Sequence, residues 1–146
     1  MLQAIEQLLK AHLVDGTPAF PVVEGALSVA LAMKDGLNRP REVYVVPLAT
    51  DYQTATQDLG PLLQVGRAGF GIAVGLKAVD DPQGKKSSKR LDEVKTDLLA
   101  ALLGKCPTQD AEPIELVRIA PIGVKDNAVW LLFSFKTTVR EYQGAL

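Results

Sequence analysis

The chain has one cysteine, Cys106, and one histidine, His12. A single thiol cannot form an intrachain disulfide or a cysteine zinc cluster, and such scarcity suits a reducing compartment. An excess of charge of one sign is also missing. Lys+Arg 16 against Asp+Glu 17 leaves no surplus of cations, whereas a dedicated nucleic-acid binder draws its affinity mainly from neutralising phosphates. No apolar run reaches the roughly 20 residues that a bilayer-spanning helix needs. Met1 leads directly into an amphipathic segment carrying Glu6, without the apolar core of a secretory signal, so a soluble protein, intracellular when made, is expected. These absences leave one domain, residues 1–146, long enough to bury about 68% of its unfolded surface without covalent staples.

The strongest pattern lies between Pro113 and Tyr142, which reads as one long β-hairpin at the centre of a sheet. Val129, Leu131, Phe133, Phe135 and Val139 alternate with Ser134, Lys136, Thr138 and Arg140, the period of a half-buried strand. Ile114, Leu116, Ala120 and Ile122 do the same in the first arm. A turn at Asp126-Asn127, two residues tolerant of positive φ, predicts the pairs Val124–Val129, Ile122–Leu131 and Ala120–Phe133; only Arg118 fits poorly. Pro121 has no amide donor, so this first arm is an edge strand or contains a bulge. At about 3.3 Å per residue the second arm is roughly 40 Å long. A compact chain of this size has a radius of gyration of about 15 Å, so the arm spans the domain or protrudes from it. Trp130 and Leu132 make the polar face apolar near the turn. Either the chain's own helices cover them or they form an exposed contact surface.

Ahead of the hairpin, Leu2, Ile5, Leu9 and Leu13 recur at helical spacing, with Gly16 as the stop. Phe20 to Val23 predicts a short strand, and the Ala-rich GALSVALAM a second helix ending near Asp35-Gly36. Glu42 to Leu48 is rich in β-branched residues and reads as a strand buried on both sides. Thr50 to Pro61 is polar and predicts a long loop of the kind that is often functional. Leu63 to Val79 predicts a second long strand, with Phe70, Ile72, Val74, Leu76 and Ala78 on one face and Gly69, Gly71, Ala73 and Gly75 on the other, a smooth face that another element can approach closely. After a polar turn from Asp80 to Ser88, Leu91, Val94, Leu98 and Leu102 define a third helix capped at Gly104. The order α-α-β-β-α-β-β predicts an α+β fold, a largely antiparallel four- to five-stranded sheet with helices packed on one face.

No residue pattern points to catalysis. The glycines between Gly66 and Gly75 lie inside a strand, whereas a phosphate-cradling loop follows a strand and opens a helix. His12 has no second ligand at i+4 and reads as a half-buried helix residue. Cys106 follows a helix C-terminus, where the dipole disfavours a thiolate. Asp80-Asp81 alone rarely hold a hard cation and read as a solvated turn. Lys85, Lys86, Lys89 and Arg90 form a basic cluster that is either solvated or meets phosphate or an acidic partner. No catalytic, cofactor or metal residue is therefore assigned.

The succession of features resembles the tail terminator (minor tail, tail completion) proteins of long-tailed bacteriophages, over nearly the whole chain. It is carried by Val23-Glu24-Gly25-Ala26 opening an Ala-rich helix, Val43-Tyr44-Val45-Val46-Pro47-Leu48, and the polar loop leading to Gln64 and the strand through Val79. Leu102-Leu103-Gly104 with Pro107 and Trp130 through Phe135 complete it. Lys105-Cys106 stand where an aromatic residue is expected. The resemblance implies a non-enzymatic virion protein without cofactors that forms a homohexameric ring. This ring sits on the last ring of tail-tube protein, stops its polymerisation and presents a surface to the head-completion protein, with DNA passing through its lumen. Asp51, Tyr52, Gln53, Lys85, Lys86, Lys89, Arg90, Trp130 and Leu132 are the candidate assembly contacts. The competing expectations are another neck protein, such as a head-closure protein, and a small α+β ligand-binding or regulatory module.

Overall fold

The computed structural model describes residues 1–37, 39–55, 62–77, 85–125 and 128–143. Helix α1, Leu2–Ala11, buries Ile5 and Leu9. It ends before Leu13, contrary to the spacing, because His12 turns extended and Asp15 and Gly16 both take positive φ, at 52° and 79°. That pair is the signature of a two-residue hairpin turn. It joins β1, Leu13–Val14, to β2, Thr17–Pro18, in a two-stranded antiparallel ribbon, and Leu13 is left exposed.

The short strand expected at Phe20 to Val23 begins at the end of that range, as β3, Val23–Gly25. Helix α2, Ala26–Asp35, follows and stops at Gly36, whose φ is 88°. Strand β4 is Arg41–Tyr52. Since α2 carries the chain back over a face of the sheet, β3 and β4 pair in parallel, as a crossover connection requires. The other pairings are antiparallel, in the order β3-β4-β5-β7-β6, with β5 at Leu62–Lys77, β6 at Glu115–Lys125 and β7 at Ala128–Gln143. The sheet is thus mixed and five-stranded; the α+β class stands, and the expected element order holds with β1, β2 and β3 added between the first two helices. Helix α3, Lys85–Leu102, connects β5 to β6, and Gly104 behind it has φ 77°.

The helices divide between the two faces rather than sharing one. α1 and α3 place Ile5, Leu9, Val94, Leu98 and Leu102 against Val43, Val45, Phe70, Ile72, Val74, Phe133 and Phe135 in the main core. Alternate residues of the same strands, Tyr44, Ala73 and Trp130, form a second cluster with Val29, Ala32, Met33 and Leu37 of α2 and the segment behind it. The one-face expectation fails because both parities of the central strands are apolar at this end, and each parity needs its own cover. The smooth face of β5 does what its glycines suggest. A Cβ on Gly75 would lie 2.8 Å from Leu37 Cδ2 and 3.0 Å from Trp130 Cη2, so the missing side chain is the room those two occupy.

The terminal hairpin forms with Val124 opposite Val129, as expected, but Leu131 faces Pro121 and Phe133 faces Ile119. Two irregularities, between Pro121 and Gly123 and between Leu116 and Arg118, each insert one residue. Pro121 and the misfitting Arg118 flank them, and both readings of Pro121 hold, since β6 is an edge strand and is bulged. Ile122, expected inward, is consequently exposed. The Asp126-Asn127 turn lies outside the described residues.

Candidate assembly surface

The strands outrun their helical cover. β5 is 16 residues long and β7 is also 16, and they pair from Lys77↔Ala128 at the covered end to Leu62↔Gln143 at the other. Buried core positions stop at Ala68 and Phe135 on the main face. Past them Tyr52, Gln64, Val139 and Glu141 lie over no helix of the core clusters. Tyr52 instead covers its own sheet: a Cβ on Gly66 would sit 2.6 Å from Tyr52 Cε1, so glycine lets the ring lie flat on the strand.

Asp51 and Tyr52, expected in a loop, are the last residues of β4, and Gln53 continues it by donating its amide to Val65 O at 2.8 Å. All three are exposed. The polar composition of Thr50 to Tyr52 reflects strand bare on both faces, where polarity replaces the alternation that marks a half-buried strand. Thr54 and Ala55 belong to no helix or strand, and the rest of the expected loop, residues 56–61, is outside the described residues.

The second group of expected contacts is scattered. Lys85 and Lys86 open α3, and their side chains lie outside the described ones, as does the Asp80-Asp81 turn. Lys89 is exposed, and Arg90 bends back to donate to Lys77 O. Trp130 is 2% exposed beneath α2, its ring 6.0 Å from that of Tyr44, and Leu132 is half-buried against the same cluster. Of the two readings left open for them, cover by the chain's own helix is the one observed.

The outer strand, marked in the sequence by Pro121 as an edge or a bulge, contributes none of the residues expected as contacts. Among the described residues β6 pairs with β7 on one side only and exposes Val117, Ile122 and Val124 at 54%, 45% and 76%. On the opposite border β3 pairs only with Val43, Tyr44 and Val45, which leaves β4 from Val46 to Tyr52 without an outer neighbour among the described residues. The uncovered sheet face carries Arg67, Arg118, Lys136 and Arg140, placed together by the register. Lys136 pairs with Glu115 at 3.5 Å and Arg140 with Glu112 at 3.0 Å, whereas Arg67 and Arg118 form no ion pair among the described residues. Pro121 and Arg118 were the signals for this edge.

Among the described residues the cavities hold few titratable groups. One is an open groove of about 610 Å³ lined by Lys10, Phe20, Pro21 and Glu24 among others. A smaller one brings Glu24, Asp35, Glu42 and Tyr44 together. There burial, then the charges of Glu42 and Glu24, then a hydrogen bond to Glu42 push the Tyr44 phenol up to about 12. No group of three or more metal-binding side chains occurs among the described residues. His12, half-buried, packs its ring 6.3 Å from Phe20, and Cys106 is exposed and free.

Fold and surface define a small mixed α+β domain whose exposed features are strand edges and a bare sheet end. The chain belongs to the phage tail terminator protein family, whose model matches residues 2–143, and is thus a structural protein of the phage tail. Among solved structures it is similar to a chain of the virion of a native gene transfer agent particle, at TM-score 0.57 and 18% identity, covering 97% of this chain and 95% of that one. A second solved chain, 18% identical and covered to 95% on both sides, aligns at TM-score 0.44. No curated protein matches.

Proposed function

We propose that this chain is the subunit of a homohexameric ring that seats on the last ring of tail-tube protein, ends its polymerisation and presents the surface to which the head-completion protein joins. Family membership over residues 2–143 carries this reading, and the two open sheet borders support it. A ring subunit meets a different surface of its neighbour on each side, and this sheet ends in two different edges. Because a tube is built of repeated rings, a cap with the same rotational symmetry satisfies every terminal subunit at once. The site is the head-proximal end of the tail, reached by assembly in the host cytoplasm, with DNA passing through the lumen. Electron cryomicroscopy of intact tails tests it. The expected map shows six copies around the axis at the head-proximal end. Absence from that end, or a single copy there, refutes the reading, and density detached from the tube but bound to the head assigns the chain to head closure instead.

A further inference from the structure

We infer that neighbouring copies in this ring join edge to edge, β6 of one protomer lying antiparallel to the Val46–Gln53 border of β4 in the next. The inference rests on the ring reading and adds the contact that closes it.

Strand direction is the first support. From β4 through β5 and β7 to β6 all pairings are antiparallel, so β4 and β6 point in opposite directions. Repeating such an even-stranded unit by rotation about an axis near the strands brings β6 beside the next β4 in antiparallel order. The joined wall then alternates without a break, as closed antiparallel barrels do. An odd unit would force a parallel seam.

Level is the second. The register places Arg118 beside Ser134, Ser134 beside Gly71, and Gly71 beside Val46. With no stagger, β6 would therefore run into the β4 segment that β3 already occupies. Closing a sheet requires strands tilted by about 35–45°. Across four strand spacings of about 4.8 Å that tilt offsets neighbouring units by roughly 13–19 Å, or four to six residues. A shift of four residues measured on β5 carries the level of Gly71 to that of Arg67, whose partner on β4 is Asp51. It sets β6 from Gly123 downward against β4 from Val46 onward, past the β3 pairs, and only Val124 and Lys125 at the hairpin end fall level with Val45 and Tyr44, which β3 flanks.

Within the range that the tilt allows, the four-residue shift is the one that also aligns the chemistry. Arg118, exposed and without an ion pair among the described residues, falls opposite exposed Asp51 on the same sheet face. Pro121, level with Val74 through Leu131, moves to the level of Phe70, whose β4 partner is Pro47. The residues of the two borders that lack an N–H thus share one step of the ladder, and the lost donors are confined to it. Elsewhere a bulged edge with Pro121 is a poor template for indiscriminate strand addition. It accepts a partner only in register.

Cross-linking in assembled particles tests this. In a Cys106→Ser background, Arg118→Cys combined with Asp51→Cys is expected to give, on mild oxidation, a ladder of covalent oligomers up to the whole ring, while neither single variant cross-links. Separately, Arg118→Glu or Asp51→Arg alone should lower the yield of completed tails by about tenfold or more, since like charges then face each other, and the charge-swapped double variant should recover it. A ring seen on tails without the ladder overturns the edge pairing and leaves the ring reading standing. Dimers from Arg118→Cys alone overturn it too, because they require β6 against β6. A chain missing from the tails overturns the ring reading itself.

Discussion

At the scale of single residues the two faces of β7 have different work. Phe133 is fully buried between the helices and the sheet, so Phe133→Ala removes packing that the surroundings cannot refill, at about 3–5 kcal/mol. Lys136, next on the other face but two, holds a 3.5 Å pair with an exposed carboxylate; Lys136→Ala costs less than about 1 kcal/mol. Denaturant titration of the two variants separates them, and equal losses would mean the faces are reversed. Tyr44 adds a pH signature. Its folded-state value is raised to about 12 from 10.0, so the folded chain holds the phenolic proton more tightly than the unfolded one. The contribution is fully present below pH 10 and is lost as pH rises from there through about 12. Tyr44→Phe is expected to flatten the alkaline limb of the stability profile within that window; an unchanged limb would show that Tyr44 titrates normally.

Among elements, the tie between layers is local and polar. Arg41 on β4 reaches Asp97 on α3 at 2.7 Å and Ala19 O at 3.0 Å, with its guanidinium 5.7 Å from the centre of the Phe20 ring. One side chain therefore pins α3 and the segment between β2 and β3 to the sheet. Asp97→Asn loses the charge but leaves the bond to Ala19, at about 1 kcal/mol, whereas Arg41→Ala loses both contacts and the cover over Phe20, at about 2–3 kcal/mol. A double-mutant cycle in thermal unfolding checks the ordering, and a larger loss for Asp97→Asn contradicts it. None of this tie is legible in the sequence, because Arg41 and Asp97 are joined only by the fold. Alternation and helical spacing do reveal what lies within an element, hence the hairpin, α3 and the buried centre of β4. They do not reveal what lies above it. Trp130 has the pattern of an outward residue, yet α2 covers it. Leu13 continues the spacing of α1, yet a two-residue turn takes it away. Asp51, Tyr52 and Gln53 look like loop because a strand exposed on both faces has no alternation to show. The bulges beside Arg118 and Pro121 were foreshadowed by those two residues, but their effect on every pairing beyond them was not.

The whole molecule has two unlike ends. At one, three helices enclose both faces of the sheet; at the other, β4, β5 and β7 run on past them with Tyr52 and Tyr142 exposed at 47% and 55%. The core has no use for that second end, since its last large side chains, Phe70 and Phe135, stack 5.4 Å apart before the bare segment begins. A bridge at the boundary separates the two. Glu112 donates its amide to Thr138 O at 3.0 Å and accepts from the Thr137 hydroxyl, while its carboxylate holds Arg140. A chain ending at Arg140 keeps all of these and, among the described residues, loses the outermost pairs, Gln64↔Glu141 to Leu62↔Gln143. Its melting temperature is therefore expected to stay within about 4 °C of the full chain. Its incorporation into tails should fail, because Leu62 to Gln64 then lose their outer partner beside Gln53, and the level at which another subunit has to meet the sheet is no longer held. Calorimetry of the purified variant and complementation of tails lacking the full chain measure the two halves of this prediction. Normal tails from the shortened chain would show that the outermost pairs take no part in assembly, and a collapse in melting temperature would show that the core extends to the end of the strands.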